Sequence, residues 1–302
     1  MKKVIILSNK IGWHCNQIRD HAEKQGFSVN ILDIRELTLQ LENETMNVIG
    51  PDDEIIKYTN ILIRHIPGGT LEEIIYYLNI LKALEINQCN VINKADLIEK
   101  TVDKTYTTIM LSKHNILTPD TWVVRDIDIL TKKFDSIIKD GELIYKPMFG
   151  SQGENISKIT TLDDLNKINN QSNIFYIQRF IKTNPSHDYR VLIIKGKKEK
   201  SIYAMTRYGK TYINNYSSGA KCVPLTFDKQ IIRIATTVAD LFDLPICGVD
   251  LIKDDKNLYV LEVNSVPAWK GLQSTVKENI SSSIVNHLFV DIDEKENIQK
   301  KI

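Results

Sequence analysis

Two apolar segments in the last third of the chain each carry one acidic residue, and this pair limits the possible folds most. Asp250 interrupts the apolar run Gly248–Ile252, and Glu262 interrupts the run Leu258–Val263, which follows the polar turn Asp254–Asn257. Acidic side chains are rarely buried unless they are paired or bind a metal. The pattern predicts two neighbouring antiparallel strands, with Asp250 facing Glu262.

A third oxygen ligand lies close to this pair. Asn264 is two residues after Glu262, so on a strand both side chains point to the same face. Together with Asp250 they form a cluster of oxygen ligands with two negative charges. Such a cluster suits Mg²⁺, which prefers carboxylates together with substrate phosphates. Surface carboxylates on an edge strand are the alternative, but both segments are more apolar than an exposed edge strand.

A lysine in another apolar segment is the second candidate for chemistry. Lys146 lies in the predicted strand Glu142–Pro147, and it precedes a polar loop that contains Gly150, Ser151, Gln152 and Gly153. A lysine can bind phosphate as a point charge, and the backbone N–H groups of such a loop can do the same. The loop is not a Walker loop, which has the pattern GxxxxGK[ST]. An ordinary hairpin tip is an equally good interpretation of the loop alone.

Further charged residues occur at the start of a helix and on two strands. Asp103–Lys104 opens a predicted helix and could be ordinary helix decoration. Arg190 and Arg207 fall on the adjacent predicted strands Tyr189–Ile194 and Ser201–Arg207. Arginines beside a metal and a phosphate loop can hold a transferred phosphoryl group and a developing oxyanion. Solvated strand charges are the alternative.

Strand and helix signals divide the chain into three parts. The first part alternates strands and helices, for example strand Val4–Ser8 and helix Asn16–Lys24, which predicts a mainly parallel sheet with helices on both faces. The signals in the middle part predict a small α+β domain. The last part predicts antiparallel strands and one amphipathic helix, Gln230–Phe242. The predicted domains are 1–94, 95–181 and 182–302.

Composition excludes several classes of function. The net charge of +1 gives no global attraction to nucleic acid or to an anionic membrane. No apolar run approaches the ~18–20 residues of a membrane span. The four cysteines are scattered without a CxxC pair, which indicates reduced thiols. We therefore expect a cytoplasmic protein with no nucleic-acid or membrane partner.

The order of these motifs resembles the ATP-grasp superfamily and, within it, the RimK-like amino-acid ligases. The resemblance spans roughly residues 93–275 and rests on Asp103–Lys104, Tyr145–Pro147 with the loop that follows, Tyr176–Ile181, Asp188–Arg190, Gly248–Asp250 and Glu262–Pro267. The last segment is the most specific, because it resembles the family pattern E-V-N-x-x-P. The resemblance implies an ATP-grasp fold. Such a fold has an N-terminal α/β (pre-ATP-grasp) domain, a small central α+β domain and a C-terminal α+β domain with an antiparallel sheet.

In this family ATP lies between two antiparallel sheets, and the resemblance assigns roles by position. The implied ATP-binding residues are Lys104, Lys146, Gly150, Ser151, Gln152, Gly153, Gln178, Arg179, Phe180, Ile181, Asp188, Leu261 and Asn264. The implied ligands of two Mg²⁺ ions, or of Mn²⁺, are Asp250, Glu262 and Asn264. The implied catalytic residues on the transferred group are Arg190, Arg207 and Lys221.

The sequence departs from the family pattern at two positions. Arg179 stands where the family usually has an acid near the ribose and adenine, which removes the usual side-chain contact but not a backbone one. Gly219–Lys221 contains Ala220 where RimK itself tends to have paired glycines.

The substrates are less closely defined. Arg64–Glu73, Asn93–Lys94 and Pro267–Gln273 resemble a RimK-like subgroup that includes ligases adding L-glutamate to tetrahydromethanopterin. The leading hypothesis is therefore a ligase that joins a small-molecule carboxylate to an amino acid through an acyl phosphate. One alternative is glutamylation of a protein or peptide C-terminus, and another is an ATP-binding regulator without catalysis. A homodimer or homotetramer is common in the family.

Three features outside the main motifs are candidates for substrate contacts. Gly68–Thr70 opens a helix and could bind an anionic group, although a plain helix cap is an equally good interpretation. Trp13 and His14 follow the first strand, where open α/β sheets bind ligands, and ordinary packing of Trp13 is equally plausible. Trp269 follows the metal motif and could form a wall of the acceptor site.

Overall fold

The computed structural model describes residues 2–148, 155–168, 173–197, 199–226, 228–290 and 292. Its first part is a four-stranded parallel sheet of order β2-β1-β5-β6, flanked by helices, as the alternating pattern predicted. The elements are β1 (Lys3–Leu7), α1 (Trp13–Lys24), β2 (Ser28–Leu32), β3 (Thr38–Glu42), β4 (Thr45–Ile49), β5 (Asn60–Ile63), α2 (Leu71–Ile86) and β6 (Asn90–Ile92).

Helix α1 begins earlier than the sequence predicted. Trp13 and His14 form its first turn rather than a loop after β1. Trp13 packs, partly buried, against the apolar core beneath the sheet, so ordinary packing is what the structure gives for this residue.

Helix α2 starts with a complete capping box. The Thr70 hydroxyl accepts a hydrogen bond from the Glu73 N–H, and the Glu73 carboxylate accepts one from the Thr70 N–H at 2.7 Å. The N-terminus of α2 therefore already has a carboxylate of its own chain, and the structure supports the helix-cap interpretation of Gly68–Thr70.

The second part contains a four-stranded antiparallel sheet of order β7-β10-β8-β9. Side chains of Tyr145, Phe175 and Ile177 on one face pack against short helices, while Lys146, Tyr176 and Gln178 point to the other face. The elements are α3 (Ala95–Val102), α4 (Lys104–Lys113), β7 (Thr121–Val124), α5 (Asp128–Thr131), α6 (Phe134–Ile138), β8 (Leu143–Lys146), β9 (Ser157–Ile159), α7 (Leu162–Asn166) and β10 (Phe175–Arg179).

The third part contains a five-stranded antiparallel sheet of order β13-β12-β11-β14-β15. Helix α8 covers one face of this sheet through an apolar core. The elements are β11 (His187–Lys195), β12 (Lys200–Tyr208), β13 (Lys221–Pro224), α8 (Lys229–Leu241), β14 (Ile246–Lys253), β15 (Leu258–Asn264), α9 (Lys270–Gln273) and α10 (Ile280–Leu288).

Helix α10, which the sequence analysis did not predict, joins the first and third parts. Its buried residues Ile280, Ile284 and Val285 share one core with Ile6 of β1 and Leu192 of β11. Trp269 lies in the same core and is only 1% exposed, so the expectation that it forms a wall of the acceptor site is wrong. An indole with almost no free surface cannot contact a substrate directly.

No helix among the described residues is long and apolar enough to cross a membrane.

Candidate functional site

A cleft lies between the central sheet and the C-terminal sheet. The space between the protein atoms in this cleft is about 980 Å³, open solvent included. The predicted site residues that line it are Lys104, Lys146, Gln178, Arg179, Phe180, Ile181, Asp188, Arg207, Asp250, Leu261 and Glu262. The predicted residues Gly150, Ser151, Gln152 and Gly153 fall outside the described residues.

The register of the C-terminal sheet aligns the acidic residues. Asp250 of β14 is directly opposite Glu262 of β15, and Asn264 is opposite Gly248. Since alternate residues of a strand share a face, Asp250, Glu262 and Asn264 lie on the same side of the sheet. The arrangement predicted for the two apolar segments is therefore the observed one.

Two arginines lie in the same row and pair with acids. Arg190 is opposite Asp250, and Arg207 is opposite Asp188. Arg207 donates to Asp188 through Nε at 2.7 Å and through Nη2 at 2.8 Å, and its Nη2 also lies 3.0 Å from Asp250. Arg190 donates to both carboxylate oxygens of Asp250. These paired groups are desolvated, because Asp188, Arg207 and Asp250 are all less than 7% exposed.

The ion pairs determine the charge of the network. Burial alone would raise the pKa of Asp250, but Arg190 and Arg207 outweigh it and hold that pKa below its usual value. Burial alone would lower the pKa of Arg207, but Asp188 and Asp250 outweigh it and raise that pKa. Asp250 therefore stays ionised and Arg207 stays charged at neutral pH.

Glu262 and Asn264 differ from Asp250 because the protein leaves them unsatisfied. Glu262 forms no ion pair with any described residue, and Asn264 Nδ2 is buried without a hydrogen-bond partner among them. A free carboxylate, a second carboxylate and an amide oxygen form a donor set that fits Mg²⁺, which also keeps ligands from water and substrate phosphates. The orphaned amide N–H of Asn264 fits a phosphate oxygen.

On the opposite side of the cleft, Lys146 has a neutral partner. Its Nζ donates to Gln178 Oε1 at 2.7 Å, and Gln178 Nε2 donates in turn to Thr121 and Tyr176. Desolvation lowers the pKa of Lys146 to about 8, with Lys104 adding to the effect and Glu262 and Asp250 opposing it. Lys104 lies close by and donates to the Met148 carbonyl at 3.3 Å.

Arg179 has a structural role that explains the departure from the family pattern. Its side chain points away from Gln178, and Nη1 donates to the carbonyls of Ile137 at 3.0 Å and Gly141 at 2.5 Å. The guanidinium also lies over the Trp122 ring, at 5.3 Å from its centre. The expected backbone contact to a nucleotide is restricted as well, because the Arg179 N–H donates to the Asp120 carbonyl.

The structure does not bring Lys221 into the cleft. Lys221 is exposed at the start of β13, opposite Tyr208, and does not line the cavity. Its expected catalytic role rested on the resemblance to the RimK-like ligases. In the structure the strand direction turns its side chain to solvent.

Two groups of site residues were missed by the sequence analysis. Tyr176 lines the cleft and its hydroxyl lies 2.8 Å from Thr108 Oγ1, and Tyr212 lines the same cleft beside Phe180. Asn93 is 1% exposed and bonds to the carbonyls of Ile246 and Ser265, so it connects the start of β14 to the segment after Asn264. Its position after β6 was visible in the sequence, but its partners are 153 and 172 residues away.

Comparison with known proteins places the chain in a family. Residues 1–98 match the RimK PreATP-grasp domain and residues 101–288 match the RimK-like ATP-grasp domain. A tetrahydromethanopterin:alpha-L-glutamate ligase of Methanococcus maripaludis is 26% identical over 290 residues, which cover 93% of this chain and 96% of the relative. The enzyme of the same description from Methanocaldococcus jannaschii is 31% identical over 207 residues, which cover 66% of this chain and 69% of the relative.

Solved structures agree in fold. The ATP-grasp ligase PsnB complexed with a minimal precursor has a TM-score of 0.72 at 16% identity, and the match covers 97% of this chain and 99% of PsnB. A second PsnB structure, with precursor, Mg and ADP, has a TM-score of 0.69 at 15% identity, covering 95% and 96% of the two chains. The chain therefore belongs to the RimK-like ATP-grasp family of ATP-dependent carboxylate–amine ligases.

Proposed function

We propose that this protein joins a carboxylate to the amine of L-glutamate with hydrolysis of ATP to ADP and phosphate, and that the carboxylate belongs to a small cofactor such as tetrahydromethanopterin. The observation that carries the chemistry is the charged row Arg207–Asp188 and Arg190–Asp250–Glu262, which faces Lys146 across the cleft. The substrate pair is supported by relatives of that description, one of which aligns over 96% of its length.

The residues have complementary roles in this proposal. Lys104 and Lys146 hold the α- and β-phosphates of ATP, and Phe180 with Tyr212 borders the base. Arg190 and Arg207 stabilise the charge on the transferred phosphoryl group. Asp250, Glu262 and Asn264 hold Mg²⁺, proposed as two ions with Mn²⁺ as a substitute; the metal neutralises phosphate charge when bound.

The reaction has two steps. A carboxylate oxygen attacks the γ-phosphorus of ATP, the bond to the β-phosphate oxygen breaks, and ADP leaves with that electron pair. The amine of the amino acid then attacks the acyl carbon, the carbon–oxygen bond to phosphate breaks, and the released phosphate takes the proton that the nitrogen loses. The protein's part is to orient the groups and to keep water from the acyl phosphate.

We also propose three domains, 1–94, 95–181 and 182–302. The protein forms a homodimer or homotetramer and is located in the cytoplasm. The cytoplasmic location is supported by the free cysteines Cys15, Cys89, Cys222 and Cys247.

The test is ADP release by the purified protein with MgATP and L-glutamate, with and without tetrahydromethanopterin, followed by the mass of the product. Release that depends on both substrates, with a gain of one glutamyl residue, supports the proposal. Release with a peptide acceptor instead would transfer the same chemistry to a peptide C-terminus. Tight ATP binding without ADP release across a panel of carboxylates and amines would support a regulator without catalysis.

A further inference from the structure

The N-terminal sheet has a reversal of strand order that the proposed nucleotide site does not use. The chain leaves β1 toward β2 on one side, while β5 and β6 lie on the other side, so the strand order reverses between β1 and β5. In open α/β sheets ligands bind beyond the carboxyl ends of the strands at such a reversal. Arg64 follows β5 at this point, and its N–H donates to the Leu7 carbonyl at the end of β1.

Arg64 is a cation with no acidic partner among the described residues. Its Nη1 donates to the Pro267 carbonyl at 2.8 Å, and its guanidinium lies 4.6 Å from the centre of the Trp269 ring. Its Nε is buried without a hydrogen-bond partner, and no carboxylate of the described residues forms an ion pair with it. Desolvation lowers the pKa of Arg64 to about 10. Burying a guanidinium in this way costs free energy unless an anion pairs with it.

The groups around Arg64 add positive rather than negative charge. His14 Nε2 accepts hydrogen bonds from the N–H groups of Trp269 and Lys270, which fixes the imidazole against the start of α9. The pKa of His14 is lowered to about 3, by desolvation first and then by Arg64 and Lys270. The imidazole is therefore neutral at physiological pH, and Arg64 and Lys270 remain as cations beside it.

The end of β5 adjoins the proposed phosphoryl-transfer site. A Cβ added at Gly248 would lie 3.2 Å from Cβ of Pro267 and 3.3 Å from Nη1 of Arg190. Pro267, whose carbonyl binds Arg64, is thus packed in the same place as the arginine that binds Asp250. A ligand held by Arg64 would lie on the side of the site that ATP does not occupy in the proposal.

We propose that Arg64 binds a substrate carboxylate that remains ionised through the reaction and so orients that substrate for amide formation. This inference rests on the proposed ligase function and assigns one of its substrate contacts. Such a carboxylate is present in the α position of L-glutamate, in its side chain and in an acidic acceptor. Arg64 is suited to it because its planar fork matches a carboxylate.

The competing explanation is that Arg64 only ties the N-terminal sheet to the C-terminal part. Asn60 offers a matched control, because it lies at the other end of β5 and also bonds across to the C-terminal part. Its side chain donates to the Val290 carbonyl at 2.8 Å and accepts from the Val290 N–H at 2.9 Å. If Arg64 were only a connection, the variants Arg64→Gln and Asn60→Ser would behave alike.

The first experiment measures steady-state ADP release by the wild type, Arg64→Gln, Arg64→Lys and Asn60→Ser. We expect Arg64→Gln to raise KM for one carboxylate substrate about tenfold or more, with KM for ATP unchanged, and Asn60→Ser to leave both within about twofold. Replacing L-glutamate by L-glutamine or by its α-amide identifies the carboxylate, because the correct analogue is used equally poorly by wild type and Arg64→Gln. A rise in KM for the acceptor alone identifies the acceptor. An unchanged KM for every carboxylate substrate would overturn the proposal.

A second experiment does not depend on turnover. Glutarate should raise the melting temperature of the wild type and of Asn60→Ser above that in NaCl of equal ionic strength, but not that of Arg64→Gln. If the wild type turns over no substrate pair, the proposed function fails while this comparison still tests Arg64. An equal rise in all variants, or no rise in the wild type, would overturn the assignment of Arg64.

Discussion

The two sheets that face the cleft hold their positive charges in opposite ways. On the central sheet, Lys146 donates to the neutral amide of Gln178, and desolvation lowers its pKa to about 8. On the C-terminal sheet, Arg207 is held by Asp188 and Asp250, and these acids raise its pKa. An anionic ligand would stabilise the charge of Lys146, whereas Arg207 is already paired with two carboxylates.

This difference separates binding from positioning. A phosphate that meets Lys146 replaces a weak neutral partner and relieves a desolvated charge. A phosphate that meets Arg190 and Arg207 finds donors whose orientation is already fixed by Asp188 and Asp250. Such preorganisation reduces the cost of reorganisation when charge develops. The central sheet should therefore dominate nucleotide affinity, and the C-terminal sheet should dominate turnover and local stability.

The largest expected effect is on the stability of the C-terminal network. Arg207→Met leaves Asp188 buried without its partner, and we expect the free energy of unfolding to fall by about 3–5 kcal/mol in urea titration at pH 7. The matched variant Lys146→Met, which removes a desolvated ammonium and leaves one acceptor of Gln178, should cost at most about 1 kcal/mol. Equal losses in the two variants would remove the contrast between the sheets.

The next effect is on turnover. Glu262→Gln removes a negative charge from the proposed metal site without changing its volume, and no residue that the structure describes forms an ion pair with Glu262. We expect the turnover number for ADP release to fall about 100-fold or more, with the melting temperature nearly unchanged. Near-normal turnover in this variant would contradict the assignment of Glu262 as a metal ligand.

A smaller effect concerns Arg179, whose side chain lies behind the central sheet. Arg179→Met removes a donor from the carbonyls of Ile137 and Gly141, so we expect a loss of about 1–3 kcal/mol in the free energy of unfolding. Nucleotide affinity measured by calorimetry should stay within about twofold, because the guanidinium is held away from Gln178 by the carbonyls of Ile137 and Gly141. A large loss of affinity with unchanged stability would show that Arg179 contacts the nucleotide after all.

The smallest effect is a pH dependence of nucleotide binding. Lys146 is protonated below its pKa of about 8 and becomes neutral above it. Affinity for MgADP should therefore be full at pH 7 and fall about tenfold toward pH 9.5, with proton uptake on binding near pH 8.5. Calorimetry in two buffers of different ionisation enthalpy measures both quantities. Lys146→Arg stays charged and should show a flatter profile; a flat profile in the wild type would contradict the lowered pKa.

The acidic residues of the C-terminal sheet could be predicted because an acid is unusual within an apolar, buried strand. Asp250 and Glu262 interrupt apolar strands, and strand periodicity alone places Glu262 and Asn264 on one face. The partners of these acids could not be predicted, since the pairs Arg190–Asp250 and Arg207–Asp188 depend on the register of β11 with its neighbours. The role of Arg179 could not be predicted either, because the carbonyls that its side chain contacts, those of Ile137 and Gly141, lie 42 and 38 residues earlier in the chain.

Two missed elements show where local signals are weak. The hairpin β3–β4 turns at Asn43 and Glu44, both with positive φ angles of 47° and 61°. Glycine is the usual residue at the second of these positions, so Glu44 gave no turn signal. Helix α10 has a capping Asn279 but only nine residues, and its apolar face is recognisable only once its partners in two sheets are known.

The core that α10 shares with both outer sheets affects synthesis on the ribosome. One face of the first sheet, including Val4, Ile6 and Leu62, packs against residues near Trp269 and Ile284. When β6 has left the exit tunnel, only α1 is available to cover that face, because the residues near Trp269 and Ile284 are translated nearly two hundred positions later. The nascent chain therefore carries a partly uncovered apolar sheet through most of its elongation, and this interval is where a ribosome-associated chaperone would find its binding surface.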